Sequence, residues 1–146
     1  MGFGYNGYPN SMQSAMAPTL NAYQALRSEV MATSTRDYKA RGILAVRCER
    51  CQLKLSHCIC AYRPCAQSEA DFVLILHRDE LFKPTNTGRL IADCFPEQTY
   101  AFCWDRLSPP KALLELLQDP QRQCCIIFPA DKNSEREVYS KPPSSD

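Results

Sequence analysis

Residues 71–104, DFVLILHRDELFKPTNTGRLIADCFPEQTYAFCW, decide the fold. Between Asp71 and His77 runs a nearly continuous apolar stretch of strand length, the pattern of a strand buried on both faces. Residues 83–88 (KPTNTG) are turn-like. Arg89 to about Phe95 predicts a short helix with Leu90 and Ile91 on its apolar side. Gln98 to Trp104 alternates and is rich in β-formers, a second strand. Further on, Ser108 before Pro109 predicts an N-cap with proline at the first helical position. Leu113, Leu114, Leu116 and Leu117 continue that helix to a stop at Asp119-Pro120. Cys124 to Phe128 predicts a third buried strand, closed by Pro129. Strand, helix, strand, helix, strand with short connections predicts an α/β fold, a Rossmann-like parallel sheet with right-handed crossovers. Ligands in such sheets lie beyond the carboxyl ends of the strands. Here those ends are His77–Gly88, Trp104–Ser108 and Phe128–Lys132.

Upstream, the chain divides by composition. Residues 1–19 are broken by Gly, Asn, Ser and Pro and read as a flexible tail. Leu20, Ala22, Tyr23, Leu26 and Val30 predict an amphipathic helix from Leu20 to about Arg41. Arg36, Lys39 and Arg41 sit toward its C-terminal end, and Gly42 is its stop. The expected organisation is a tail (1–19), an N-terminal helix (20–46), a cysteine knuckle (47–65) and an α/β part (66–146).

The 146 residues carry 17 Lys+Arg against 16 Asp+Glu, a net charge of +1. That balance excludes a polybasic tail protein and an acidic disordered chain. The charge is unevenly spread: residues 1–60 hold seven basic and three acidic residues, and residues 61–146 hold ten and thirteen. A basic front, net +4, suits an anionic partner approaching from the N-terminal side. No apolar run approaches the roughly 20 residues of a membrane span, so no membrane is expected as partner. The first 20 residues show neither a basic start nor an apolar stretch, so a cytoplasmic chain is expected. In that compartment the nine cysteines are thiols or metal ligands rather than disulfides.

Four of them, Cys48-x2-Cys51-x6-Cys58-x-Cys60, fall within thirteen residues. A Cys-x2-Cys turn sets two thiolates on one side of a tight loop, half of what tetrahedral zinc requires, and Cys58-x-Cys60 can supply the rest. An iron–sulfur cluster on the same four is the alternative. His57 is a candidate replacement ligand, and Cys65 is surplus. Arg47, Arg50 and Lys54 surround the site, where they offset the charge of a four-thiolate centre and can face RNA phosphates. Cys94, Cys103, Cys124 and Cys125 read as small buried hydrophobes.

The loop after the first strand is the second candidate site. Asn, Thr and Gly at a helix start present backbone N–H groups to an anion. Arg89 can grip a carboxylate in bidentate fashion, and Glu80 can hold an amine. Together they suit an amino-acid zwitterion; a simple capping loop with solvated charges fits the same residues. His77 could serve as a general base or merely end its strand. The sequence has no Walker lysine loop and no Gly-x-Ser-x-Gly.

In order, the features are a Cys-x2-Cys…Cys-x-Cys knuckle, an apolar strand, a Glu and Lys83-Pro-Thr-Asn-Thr-Gly-Arg-Leu-Ile-Ala-Asp93. That order resembles the DTW-domain family, from about Arg41 to Pro143. Ala101-Phe-Cys-Trp104, Leu113-Leu-Glu-Leu116, Ile127-Phe-Pro-Ala130 and Arg136-Glu-Val138 extend the likeness. The resemblance implies transfer of the 3-amino-3-carboxypropyl group of S-adenosylmethionine to a uridine in tRNA, with tRNA and S-adenosylmethionine as partners and no DNA. It implies a SPOUT-like fold whose C-terminal knotted part is missing here. It also implies Zn2+ on Cys48, Cys51, Cys58 and Cys60. Glu80, Asn86, Thr87, Gly88 and Arg89 become active-site loop residues, and Phe128 and Pro129 end the strand lining the donor pocket. The Asp-Thr-Trp motif with the family's catalytic aspartate would follow Pro143, so the chain is expected to represent the N-terminal part of such an enzyme. The alternative is a zinc-knuckle RNA-binding module without catalysis.

Overall fold

In the computed structural model, residues 19–35, 45–127 and 138–141 are described. The element order is α1 (Ala22–Ala32), β1 (Phe72–Leu76), α2 (Gly88–Cys94), β2 (Thr99–Cys103) and α3 (Lys111–Gln118), with 3-10 turns at Leu55–His57, Cys60–Tyr62 and Arg78–Phe82.

The predicted strand–helix–strand unit is present. β1 and β2 pair in parallel, Phe72 opposite Thr99 through Leu76 opposite Cys103, and α2 makes the crossover. Two further bonds extend the ladder: Phe72 N–H to the Gln98 carbonyl (2.8 Å) and Trp104 N–H to the Leu76 carbonyl (2.7 Å). The Phe72 and Phe95 rings pack at 4.9 Å between centroids, closing the turn that leads from α2 into β2.

Successive side chains of a strand face opposite sides. Leu74 and Leu76 pack on the core of Tyr23, Leu81 and Ala92, together with Leu26, Val30, Phe82 and Cys103. Ile75, between them, is 48% exposed. The apolar run Phe72–Leu76 therefore does not mark burial on both faces: among the described residues one face is covered and the other is open.

α1 begins on a reciprocal cap. Asn21 Oδ1 accepts from Gln24 N–H (2.9 Å), and Gln24 Oε1 accepts from Asn21 N–H (3.3 Å). The helix ends at Ala32, short of the expected Arg41. At Thr33 the hydroxyl turns back on the carbonyls of Glu29 and Val30 (3.3 Å each), the local competition that favours leaving a helix. Arg36, Lys39, Arg41 and Gly42 lie outside the described residues. Tyr23 is the anchor of α1: it is 1% exposed, and its hydroxyl donates to the Leu81 carbonyl at 3.0 Å.

Two elements after β2 depart from expectation. Ser108 does not cap α3; Pro110 occupies the N-cap position, its carbonyl accepting from Leu113 and Leu114 N–H. The reason is Asp105, whose carboxylate takes the N–H groups of Leu107 and Ser108 (2.8 and 3.2 Å) and holds 105–108 as a turn of its own. The expected third strand is not formed over Cys124–Ile127. These residues carry no regular structure, and Ile126 and Ile127 are 84% and 96% exposed. Arg122 is paired with Asp71 and lies over the Tyr100 ring, fixing the chain at the start of the sheet. Residues 124–127 join neither strand of the two-stranded sheet, and β-propensity without ladder bonds does not make a strand. Cys124 and Cys125 are exposed, not buried hydrophobes. Phe128 lies outside the described residues.

Candidate metal centre

The knuckle is built by its backbone. Arg47 and Lys54 form an antiparallel bridge; inside it Cys48 N–H donates to Leu53 O (2.9 Å) and Gln52 N–H to Cys48 O (2.8 Å). Gln52 takes a left-handed φ of 58°, which reverses the chain directly after Cys51. The two 3-10 turns that follow carry Cys58 and Cys60 back over this loop.

The four thiols converge. Their Sγ atoms all lie within 4.8 Å of one another, with Cys48–Cys60 at 3.6 Å and Cys51–Cys58 at 3.8 Å. A metal bound tetrahedrally at about 2.3 Å from each sulfur sets sulfurs about 3.8 Å apart, so the donor set fits a zinc-sized ion. A disulfide, at about 2.05 Å, is not formed by any of them. Cys51 is fully buried and the other three partly so.

The electrostatics show what such a cluster lacks. The Cys51 backbone N–H, seconded by that of Arg50, holds the Cys48 thiol down to about 6 against the opposing effect of burial. Burial first, then hydrogen bonds with Cys48, Cys58 and Cys51, pushes Cys60 up to about 12. One proton leaves the array readily and a later one does not, the behaviour of titrating groups that share a site. A bound cation supplies the positive charge that lets all four ionise. His57 is turned outward, its Nδ1 3.0 Å from Ser56 Oγ, and is not among the four.

The knuckle is tied to the sheet by a buried polar cluster. Arg63, three residues after Cys60, pairs with Asp93 of α2 at 2.9 Å, and Asn21 Nδ2 donates to the same carboxylate oxygen at 2.9 Å. Burial pushes the Asp93 carboxyl up from its usual range, while Arg63 and Asn21 pull it down. Burial likewise raises the Tyr23 phenol, opposed by a hydrogen bond with Gln52 of the knuckle. Neither Asp93 nor Arg63 stood out in the sequence. The available signal was Asp93 four residues after Arg89, one turn along the same helix.

The loop residues take separate places. His77 Nδ1 accepts from Asp79 N–H (3.2 Å), so His77 caps the 78–82 turn with an exposed ring. Glu80 pairs with Lys83. Asn86 organises the segment: its Nδ2 donates to the Glu80 carbonyl (3.0 Å), and its Oδ1 accepts from Gly88 N–H (2.8 Å). A Cβ at Gly88 would stand 3.1 Å from that Oδ1, a tight contact that would push the Asn86 side chain back by a few tenths of an ångström. Thr87 occupies the N-cap of α2 without a side-chain bond. Thus Glu80, Asn86, Thr87 and Gly88 share one loop. Arg89 turns inward instead: it is 6% exposed, and its Nε and Nη1 have no partner among the described residues. Phe128 and Pro129 lie outside them.

A small parallel α/β unit joined to a four-thiol knuckle defines the class: a protein with a compact four-cysteine module, able to hold a metal ion, beside a crossover sheet. The family model of the DTW domain matches residues 45–145, knuckle and sheet together. The chain belongs to the DTW-domain family, and this membership points to tRNA modification in general. No solved structure matches it. Among the described residues no helix is long and apolar enough to cross a membrane.

Proposed function

We propose that this chain serves the transfer of the 3-amino-3-carboxypropyl group from S-adenosylmethionine to a uridine of tRNA, with Zn2+ held by Cys48, Cys51, Cys58 and Cys60. The DTW match over residues 45–145 carries the reading. In that reaction a uracil nitrogen attacks the donor carbon next to the sulfonium. The new N–C bond forms as the C–S bond breaks, methylthioadenosine leaves, and the uracil proton passes to a base. The task is chiefly one of holding two substrates in line. Zinc here closes the knuckle and takes no part in the displacement.

The loop from Glu80 to Gly88 lies at the carboxyl end of β1, where ligands of parallel sheets sit. In this reading Glu80, Asn86, Thr87 and Gly88 border the amino-acid part of the donor. Arg89 acts from behind them, and Phe128 and Pro129 complete the donor side. A SPOUT-like completion of the sheet, the division into tail, helix, knuckle and α/β part, and a cytoplasmic location belong to the same proposal.

A second reading, a zinc-knuckle RNA-binding module without catalysis, draws on a specific observation. Arg47, Arg50 and Lys54 stand on or beside the four-thiol knuckle, basic side chains that suit RNA phosphates. Mass spectrometry of tRNA incubated with the chain and S-adenosylmethionine separates the two. A mass gain of one aminocarboxypropyl group, with methylthioadenosine released, supports transfer. Unchanged tRNA that nevertheless binds the chain overturns transfer and leaves the module.

A further inference from the structure

β1 and β2 end side by side. The Trp104 N–H donates to the Leu76 carbonyl at 2.7 Å, one step beyond the pairing of Leu76 with Cys103. His77 and Trp104 are thus neighbours at the carboxyl ends of the two strands. Leu76 and Cys103 pack on the core. Alternation sends the next residue of each strand to the opposite, open face, the one that carries Ile75. Both side chains are in reach of a ligand there: His77 is 68% exposed and Trp104 47%.

The His77 ring is not free to choose where its proton sits. Its Nδ1 lies 3.2 Å from the Asp79 backbone nitrogen, a group that can only donate. Nδ1 therefore presents its lone pair, and the neutral ring holds its proton on Nε2. The Asp79 carboxylate, which would favour a proton on Nδ1, is 4.0 Å away and out of hydrogen-bond reach. Nε2 has no partner among the described residues. What the neutral ring offers outward is thus an N–H donor. Its one lone pair is spent on the turn, so it has none with which to take a proton from a substrate.

We infer that His77 is a hydrogen-bond donor to a ring carbonyl oxygen of the acceptor uracil, and not the general base, with the indole of Trp104 beside it as the surface on which that base rests. This rests on the uridine reading proposed above. A neutral donor suits a neutral carbonyl oxygen, and an exposed indole suits the flat face of an unstacked base. The chemistry gives the bond a purpose. As the uracil nitrogen gives up its proton, negative charge spreads onto the ring oxygens, and a fixed donor stabilises it there. The proton itself passes to a different group. Adenine has no ring carbonyl and gives the same N–H no equivalent oxygen.

The test uses the full chain, two variants, and fluorescent hexamers of uridylate and adenylate. His77→Asn sets an amide oxygen near the place of Nδ1, which keeps the cap and loses the outward donor. His77→Gln reaches an NH2 toward the place of Nε2, which keeps the donor and gives up the cap. The unaltered chain should bind uridylate roughly tenfold more tightly than adenylate, the worth of about one hydrogen bond. His77→Asn should lose that preference, and His77→Gln should rescue most of it. Single-turnover transfer to tRNA should follow the same order. Nitrogen-15 NMR of histidine-labelled chain in mildly alkaline buffer should show His77 with its proton on Nε2. A proton on Nδ1, an unaltered chain that does not prefer uridylate, or an equal loss on both hexamers in His77→Asn (a phosphate contact) would each overturn the assignment. So would the reverse order, His77→Asn intact and His77→Gln impaired, which makes His77 a cap and nothing more. Uridylate preference lost in His77→Asn while tRNA stays unmodified counts against transfer alone and leaves the assignment standing. Transfer by His77→Asn at the unaltered rate does the opposite.

Discussion

Arg63 and Asp93 form an ion pair at 2.9 Å that is almost wholly out of water, and it is the bolt between the cysteine knuckle and α2. The same carboxylate oxygen also accepts from Asn21, so one atom joins the start of α1, the exit of the knuckle and the last turn of α2.

Asp93→Ala leaves a buried guanidinium without its partner and is expected to cost about 3 kcal/mol. Asp93→Asn keeps an acceptor for Arg63 and Asn21 and should cost less than Asp93→Ala. The pH dependence has a definite sign. Burial raises the folded carboxyl above its unfolded value of 3.8. A raised acid contributes stability that is complete below the unfolded value and is lost as pH rises through the folded one. Urea melts at pH 4 and pH 7 should therefore show Asp93→Asn gaining on the wild type at the higher pH.

Metal content is the next check. Elemental analysis of anaerobically purified protein should give about one zinc per chain, absent after Cys48→Ser with Cys51→Ser. Because ligation requires thiolates, acidification should release the ion with uptake of protons. Hydrogen exchange over residues 47–65 should accelerate in the double variant, while Ile75 and Phe102 on the paired strands keep their protection. Zinc retained by the double variant would place the metal elsewhere.

Asn86 bridges the Glu80 carbonyl and the Gly88 amide, so Asn86→Ala frees both. A loss of about 1–2 kcal/mol is expected. The diagnostic readout is faster exchange at the Gly88 amide. Gly88→Ala should perturb the same loop by steric means, since its new methyl must displace Asn86 Oδ1.

Tyr23→Phe removes the bond to the Leu81 carbonyl and leaves a buried acceptor unpaired, at about 1–2 kcal/mol. Tyr23→Ala adds a cavity in the core and should cost about 3–5 kcal/mol. A thermal melt that treated the two alike would show that the ring does not pack as described.

What the sequence disclosed was what its local patterns encode. The Cys48–Cys60 spacing found the four converging thiols because a knuckle is a local object. The Phe72–Leu76 and Thr99–Cys103 runs found the parallel pair for the same reason. The failures were of another kind. Ile75 reads as core and is half exposed, because burial depends on what else packs on the sheet. Cys124–Ile127 reads as a strand, yet pairs with neither β1 nor β2. Ser108 reads as a cap, but Asp105 captures its amide first. The 6% exposure of Arg89 had no local sign, because it depends on the long-range approach of α1 and Tyr23.

The docking of α1 has a kinetic side. With 11 residues, α1 is below the roughly 12–15 at which a helix persists alone in water. Its anchors reach far along the chain, from Tyr23 across 58 residues to Leu81 and from Asn21 across 72 to Asp93. Such closures come late in folding, after the β1–α2–β2 unit has formed from nearer contacts. The N-terminal helix should then be the last segment to arrive and the first to detach in partial unfolding.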